Sequence, residues 1–111
     1  MALTKVKESD EYGDLSQLVD SAQDATDFLK ALAHESRLLI LCLLTERERS
    51  VGDLEMLLAQ RQSTVSQQLA RLRLEGLVSS RRDGKSVYYA LANDDVRTIL
   101  SGVHKVFCRK P

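Results

Sequence analysis

Tryptophan is absent from this chain, and its one proline is the last residue, Pro111. With no proline inside, no interior helix need be broken or kinked by one. There is no run of 18 apolar residues, so no segment reads as a membrane span. The opening stretch, MALTKVKESDEYGD, lacks an apolar h-region and does not read as a secretory signal, so a cytoplasmic location without membrane partners is expected. Cysteine is scarce: Cys42 and Cys108 stand far apart, with no Cys-x-x-Cys pair. Two cysteines alone cannot complete a structural zinc site, and a cytosolic pair is rarely a static structural disulfide. No metal and no other cofactor is therefore expected. An excess of charge is also missing, since 16 Lys+Arg balance 16 Asp+Glu.

What is present suits one small globular domain. The 111 residues are 43% hydrophobic and 29% charged, which is neither a disordered nor a membrane composition. A domain of this size buries only about two-thirds of its unfolded-chain surface, so its core is modest. The balanced total hides an uneven distribution. Residues 1–30 carry three Lys and no Arg against seven acidic residues. Residues 60–90 carry five Arg and Lys85 against only Glu75 and Asp83. A local basic footprint matters more for phosphate binding than the sum.

The first dozen residues are charged and lack apolar periodicity, so residues 1–12 are expected to form a flexible tail and residues 13–111 the folded domain. Leu15, Leu18, Val19, Ala22, Ala25, Leu29 and Leu32 then recur at helical spacing, predicting a helix over 15–31. A second helix is expected from Glu35 to Thr45; its LLILCLL centre is apolar on all sides and should be buried centrally. The charged run Glu46-Arg47-Glu48-Arg49 ends it. Ser50 reads as the N-cap of a short third helix, with Asp53 in its first turn and Leu54, Leu57 and Leu58 inward. After a polar break, Ser63 reads as the cap of a fourth helix whose apolar positions are Val65, Leu69, Leu72 and Leu74, with Gly76 as its C′ stop. Strands are predicted over Leu77–Arg82 and Ser86–Leu91, joined by Asp83-Gly84 as a type I′ turn. A last helix follows from Asn93 to Cys108, with Val96, Ile99, Leu100, Val103 and Phe107 as its stripe. The predicted fold is mainly α with a β-hairpin wing: a winged helix-turn-helix. The apolar stripes of its first and last helices exceed what so small a core covers, which predicts a homodimer through those two helices.

The fourth helix begins with an unusually polar stretch. Gln62, Ser63, Thr64, Ser66, Gln67 and Gln68 offer hydrogen-bonding groups without bulk, and Arg71 adds a cation one turn on. Such side chains suit a helix entering the major groove, where Gln can bond an adenine edge in two places. On the hairpin, Arg81 and Arg82 precede the turn and Lys85 follows it. Three cations around a tight tip repel one another, which predicts an anionic partner such as a backbone phosphate or adjacent minor groove. The expected partner is double-stranded operator DNA with an inverted repeat, read by two recognition helices about 34–36 Å apart.

These residues resemble the ArsR/SmtB family of bacterial repressors. The likeness runs from Leu29 to Leu91 and includes Leu32-Ala33-His34-Glu35-Ser36-Arg37-Leu38, Val51-Gly52-Asp53-Leu54, Ser63 through Leu69, Gly76-Leu77-Val78, Arg81 through Lys85, and Tyr88-Tyr89-Ala90-Leu91. The resemblance implies a dimeric winged helix with the first and last helices at the interface. Many members sense metals, and here the chain departs from them. Where a third-helix thiolate site reads Cys-Val-Cys-Asp-Leu, this chain has Ser50-Val51-Gly52-Asp53-Leu54. Where a last-helix site uses Asp-x-His and His-x-x-Glu, Asp95 is followed by Val96 and Arg97, and His104 by Lys105, Val106 and Phe107.

The cysteine pair is instead similar to the sulfide- and persulfide-responsive branch of that family, the BigR- and SqrR-like repressors. That resemblance implies that reactive sulfur species link Cys42 to Cys108, by a disulfide or a short polysulfide, and release DNA. The residues themselves suggest an order. Cys42 sits amid leucines, where burial raises a thiol pKa. Cys108 lies beside His104 and Leu100 on the last helix, with Lys105 and Arg109 favouring a thiolate and the helix C-terminus opposing it. Cys108 is therefore expected to react first and Cys42 to capture the product. A metal-responsive or general thiol-redox-responsive repressor is the alternative; an enzyme is not expected, since no activating motif accompanies either thiol.

Overall fold

A computed structural model describes residues 15–108. The tail expected over residues 1–12, and Arg109, lie outside the described residues. The chain runs α1 (Leu15–Leu32), α2 (Glu35–Glu46), β1 (Arg49–Ser50), α3 (Val51–Leu58), α4 (Gln62–Leu74), β2 (Val78–Asp83), β3 (Ser86–Leu91) and α5 (Asp94–Phe107). The sheet is antiparallel in the order β1-β3-β2. This is a winged helix-turn-helix, with α3 and α4 as the helical pair and β2–β3 as the wing.

The core gathers the inward stripes of the middle helices. Ile40, Leu41 and Leu44 of α2 meet Leu54 of α3, Val65, Leu69 and Leu72 of α4, and Leu100 of α5, all essentially sealed from solvent. Each such side chain contributes roughly 1.5–3 kcal/mol of burial. The expectation that α2 is buried all round needs correction, because Leu39 stays exposed while Leu38, Cys42 and Leu43 are half-buried. Leu57 and Leu74 also face outward, Leu74 at 86% exposure. Helix α4 turns its stripe inward through Val65, Leu69 and Leu72, at spacings of four and three, and Leu74 falls off that line.

The helix ends explain the boundaries. Ser50 Oγ accepts the Asp53 N–H at 3.1 Å, and Asn93 Oδ1 accepts the Val96 N–H at 3.0 Å, as the sequence predicted. Gly76, at φ +74°, closes α4 in a Schellman turn in which its own N–H bonds Arg73 O and the Leu77 N–H bonds Leu72 O. Ser63 is not the N-cap. Arg61 holds that position, α4 begins at Gln62, and no side chain caps it.

The charged run after α2 is more than a helix stop. Arg49 is 7% exposed and lies on a third strand, β1, that the sequence reading omitted. Its Nε donates to Leu43 O at 3.0 Å and its Nη2 pairs with Glu46. Arg97 of α5 donates to Thr45 O. Helix α2 has no basic residue in its last turn, and these two guanidinium groups from other elements satisfy two of its terminal carbonyls, those of Leu43 and Thr45. A two-residue strand inside a run of charges carries no periodicity from which to predict it.

The turn between α3 and α4 holds Ala59 at φ 53°, the one non-glycine residue with positive φ among the described residues. Its N–H bonds Met56 O, and the following Gln60 N–H bonds Glu55 O, so the turn geometry needs this conformation. An L side chain there is strained. Ala59→Gly is expected to stabilise the domain by about 0.5–1 kcal/mol, once glycine's greater unfolded-state freedom is set against the relieved strain. Urea unfolding of the two proteins measures this; an unchanged or lower midpoint contradicts it.

Candidate nucleic-acid interface and thiol pair

Three inward residues fix the orientation of α4, and the rest follows from helical geometry. With Val65, Leu69 and Leu72 pointing into the core, Gln62, Ser63, Thr64, Ser66, Gln67 and Arg71 are exposed and Gln68 is half-buried. The polar half of the helix is therefore free to meet a partner. No acidic residue lies in its first turn, and Arg71 and Arg73 lie in its last.

The wing is built differently from the expectation. Asp83 pairs with Ser86, so the two-residue loop is Gly84-Lys85 rather than Asp83-Gly84. Gly84 has φ +63° and Lys85 does not share the positive sign, which is the pattern of a type II′ turn, not I′. Arg81 and Arg82 are consecutive on β2 and so project from opposite faces of the hairpin. Lys85 at the tip and Gln62 at the start of α4 line one cleft of about 250 Å³, together with Gly52 and Glu55 of α3. The wing tip and the start of α4 thus meet at one cleft.

Arg81 is not one of three unpaired cations. Its guanidinium makes a two-pronged contact with Glu48, Nε to Oε2 at 2.8 Å and Nη2 to Oε1 at 2.6 Å. It also lies 4.7 Å above the Tyr88 ring, its cross-strand neighbour, and 3.7 Å from Asp83. Glu48 immediately precedes β1, so the pair spans the sheet from β2 over β3 and ties the wing to the body. Arg82 and Lys85 are exposed and carry no ion pair among the described residues. The hydrogen bond from Arg81, reinforced by its charge, holds the Glu48 carboxyl below the ordinary carboxylate range. The tether is therefore complete above the ordinary Glu pKa and is lost only as pH falls through the lowered folded value. An NMR pH titration is expected to show Glu48 ionising below the ordinary range, and Arg81→Gln should return it there. An unmoved Glu48 in that variant would show that Arg81 does not hold it.

The two thiols come from different helices. Cys42 is half-buried on α2, Cys108 is exposed just after α5, and neither is in a disulfide. Burial pushes the Cys42 thiol up, and the charge of Cys108 pushes it further. Cys42 lies on α2 and Cys108 is the C-cap of α5, two helices that pack against each other. Among the described residues no three His, Cys, Asp or Glu side chains gather as a metal-ligand set. No described helix is long and apolar enough to cross a membrane. Glu48 of the wing tether and Glu55 of the cleft were not among the predicted site residues; their places depend on contacts between elements.

Residues 34–80 match the family model for bacterial regulatory proteins of the arsR family. The chain is 39% identical over 95 residues to the transcriptional activator HlyU of Vibrio cholerae, covering 86% of this chain and 88% of that protein. The reduced form of that HlyU superimposes with a TM-score of 0.80 at 39% identity, over 84% of this chain and 98% of the other. The transcriptional repressor BigR from Xylella fastidiosa superimposes with a TM-score of 0.78 at 34% identity, covering 87% and 99%. A homodimeric winged helix-turn-helix DNA-binding domain from Mycobacterium bovis gives a TM-score of 0.73 at 33% identity, covering 85% and 87%.

Proposed function

The chain belongs to the ArsR family of bacterial transcription regulators, and on that footing we propose that it is a homodimeric repressor that leaves operator DNA when reactive sulfur species join Cys42 to Cys108. The observation that carries the DNA part is the exposed polar half of α4, whose first residue, Gln62, lines one cleft with the Lys85 wing tip. Ser63, Thr64, Ser66 and Gln67 read base edges in the major groove, while Gln62, Gln68, Arg71, Arg82 and Lys85 hold the backbone. Arg81 serves the wing through Glu48 and Tyr88.

Dimerisation rests on the uncovered apolar faces. Leu18 and Leu29 of α1, and Ile99, Val106 and Phe107 of α5, are exposed in the single subunit, Phe107 at 80%. A two-fold mate that covers both stripes removes the patch and spaces the two α4 helices for an inverted repeat.

The sulfur chemistry balances. The accessible Cys108 thiolate attacks a sulfur of hydrogen disulfide (HS–SH), forming Cys108–S–SH and releasing hydrogen sulfide. The Cys42 thiolate then attacks Cys108 Sγ, forming the Cys42–Cys108 disulfide and releasing the outer sulfur as a second hydrogen sulfide. The sulfane sulfur takes the two electrons that the thiols lose. With hydrogen trisulfide, Cys108 attacks the central sulfur to give Cys108–S–S–SH and hydrogen sulfide; Cys42 then attacks that added central sulfur and expels the terminal one as hydrogen sulfide, which leaves one sulfur between the two cysteines. Cys42 is the slower nucleophile because its raised pKa keeps it protonated. The bridge ties α2 to the end of α5, the helix of the proposed interface, and so acts on subunit geometry. A hundredfold loss of DNA affinity needs the bridge to favour the released state by about 2.7 kcal/mol.

The test is a titration of promoter DNA with reduced and polysulfide-treated protein, with intact mass measured in each state. Tight binding when reduced, and weak binding with both thiols consumed within one subunit, is the expected outcome. Release by zinc, or by peroxide but not polysulfide, would favour the metal-responsive or general thiol-redox alternative.

A further inference from the structure

Arg37 stands apart from the other basic side chains. It is half-buried in the first turn of α2, and its guanidinium has no hydrogen bond or ion pair among the described residues. The other sheltered guanidinium, Arg49, has two partners. Taking a guanidinium partly out of water without a partner is unfavourable, so such a group is expected to meet an anion in its working state.

The surroundings say which anion. Arg37 lines a crevice of about 290 Å³ with His34, Gln67, Gln68 and Arg71. None of the five is acidic. Gln67, Gln68 and Arg71 belong to α4, on the far side from the wing cleft. His34 is the N-cap of α2 and makes no side-chain cap bond. The first N–H groups of that twelve-residue helix therefore lack side-chain acceptors, and the positive end of its dipole adds to the field. On its other side Arg37 borders a second crevice with Lys30 and Arg71, but there Asp27 and Glu75 already supply carboxylates, Glu75 pairing with Arg71 Nε at 3.3 Å, and compete with any incoming anion.

We propose that the α2–α4 crevice is a phosphate site, in which Arg37, with Arg71 and Gln68, grips a backbone phosphate of DNA on the flank of α4 opposite the wing. The planar fork of arginine suits two phosphate oxygens. The site rests on the DNA-binding reading above and extends it, because α4 is then held from both sides as it lies in the groove.

The experiment measures affinity of the full chain for an operator duplex and a scrambled duplex of equal length over a range of salt. The variants are Arg37→Gln, Arg37→Lys and the exposed Arg71→Gln. Each Gln variant is expected to weaken both duplexes by the same factor and to lower the salt slope by about one unit. Arg37→Lys should keep the slope and lose part of the affinity. Unchanged slopes in both Gln variants, or a loss confined to the operator, would overturn the site. Should Arg37→Gln fail to fold by thermal melting, Arg71→Gln and Arg37→Lys decide alone. Wild-type protein that binds neither duplex would bring down the DNA reading itself; wild-type binding with unaffected variants removes only the phosphate site.

Discussion

Cys108→Ala is expected to bind operator DNA as the reduced wild type does and to ignore polysulfide. In the wild type the same treatment should weaken binding about a hundredfold, or about 2.7 kcal/mol. The residue sits beyond the last turn of α5, exposed and outside the core, so its loss leaves the α4 surface intact. Cys42→Ser separates the two chemical steps. It should still acquire sulfur on Cys108, visible by mass, yet form no bridge and stay on DNA. Alkylation of the native protein near neutral pH should label Cys108 well before Cys42, because Cys108 is exposed while burial raises the Cys42 pKa. A Cys108→Ala protein that still leaves DNA with polysulfide would refute the two-thiol mechanism while leaving the DNA interface standing.

Ile99→Asp is expected to yield a folded monomer with operator affinity reduced by a factor of about 10²–10⁴. Ile99 is exposed on α5, whereas its neighbours Val96 and Leu100 are buried, so a charge at 99 spares the subunit core. Placed in an apolar interface, that carboxylate would lose water without gaining a partner. The affinity loss follows from linkage: in a dimer, binding of the first half-site presents the second at high effective concentration, and a monomer forfeits that gain. Sedimentation and DNA titration on the same samples test both parts. A dimer that persists would move the interface away from α5.

Much of the fold was legible because the relevant forces are local. Val65, Leu69 and Leu72 recur at helical spacing, Ser50 and Asn93 can cap within three residues, and Gly76 fits a left-handed stop. These signals act within a turn or two of the chain. The misreadings share a different cause. Ser63 reads as a cap because it is a serine at a helix start, but the polar break is shorter than the residue types suggest, and the cap and the start of α4 both fall two residues earlier, at Arg61 and Gln62. The hairpin loop shifted by one residue because the pairing of Asp83 with Ser86 sets the register, not the Asp-Gly dipeptide.

Composition, periodicity and cap chemistry were enough to define the order of helices and wing, the polar stretch that begins α4, and the two unlike thiols. They could do so because each depends on neighbours a few residues away. The tether from Glu48 to Arg81 crosses 33 residues of chain, the Arg97 contact with α2 crosses 52, and the crevice around Arg37 joins two helices. Only the packed core brings such groups together, since the position of a side chain in space is set by what its backbone is packed against and not by the residues beside it.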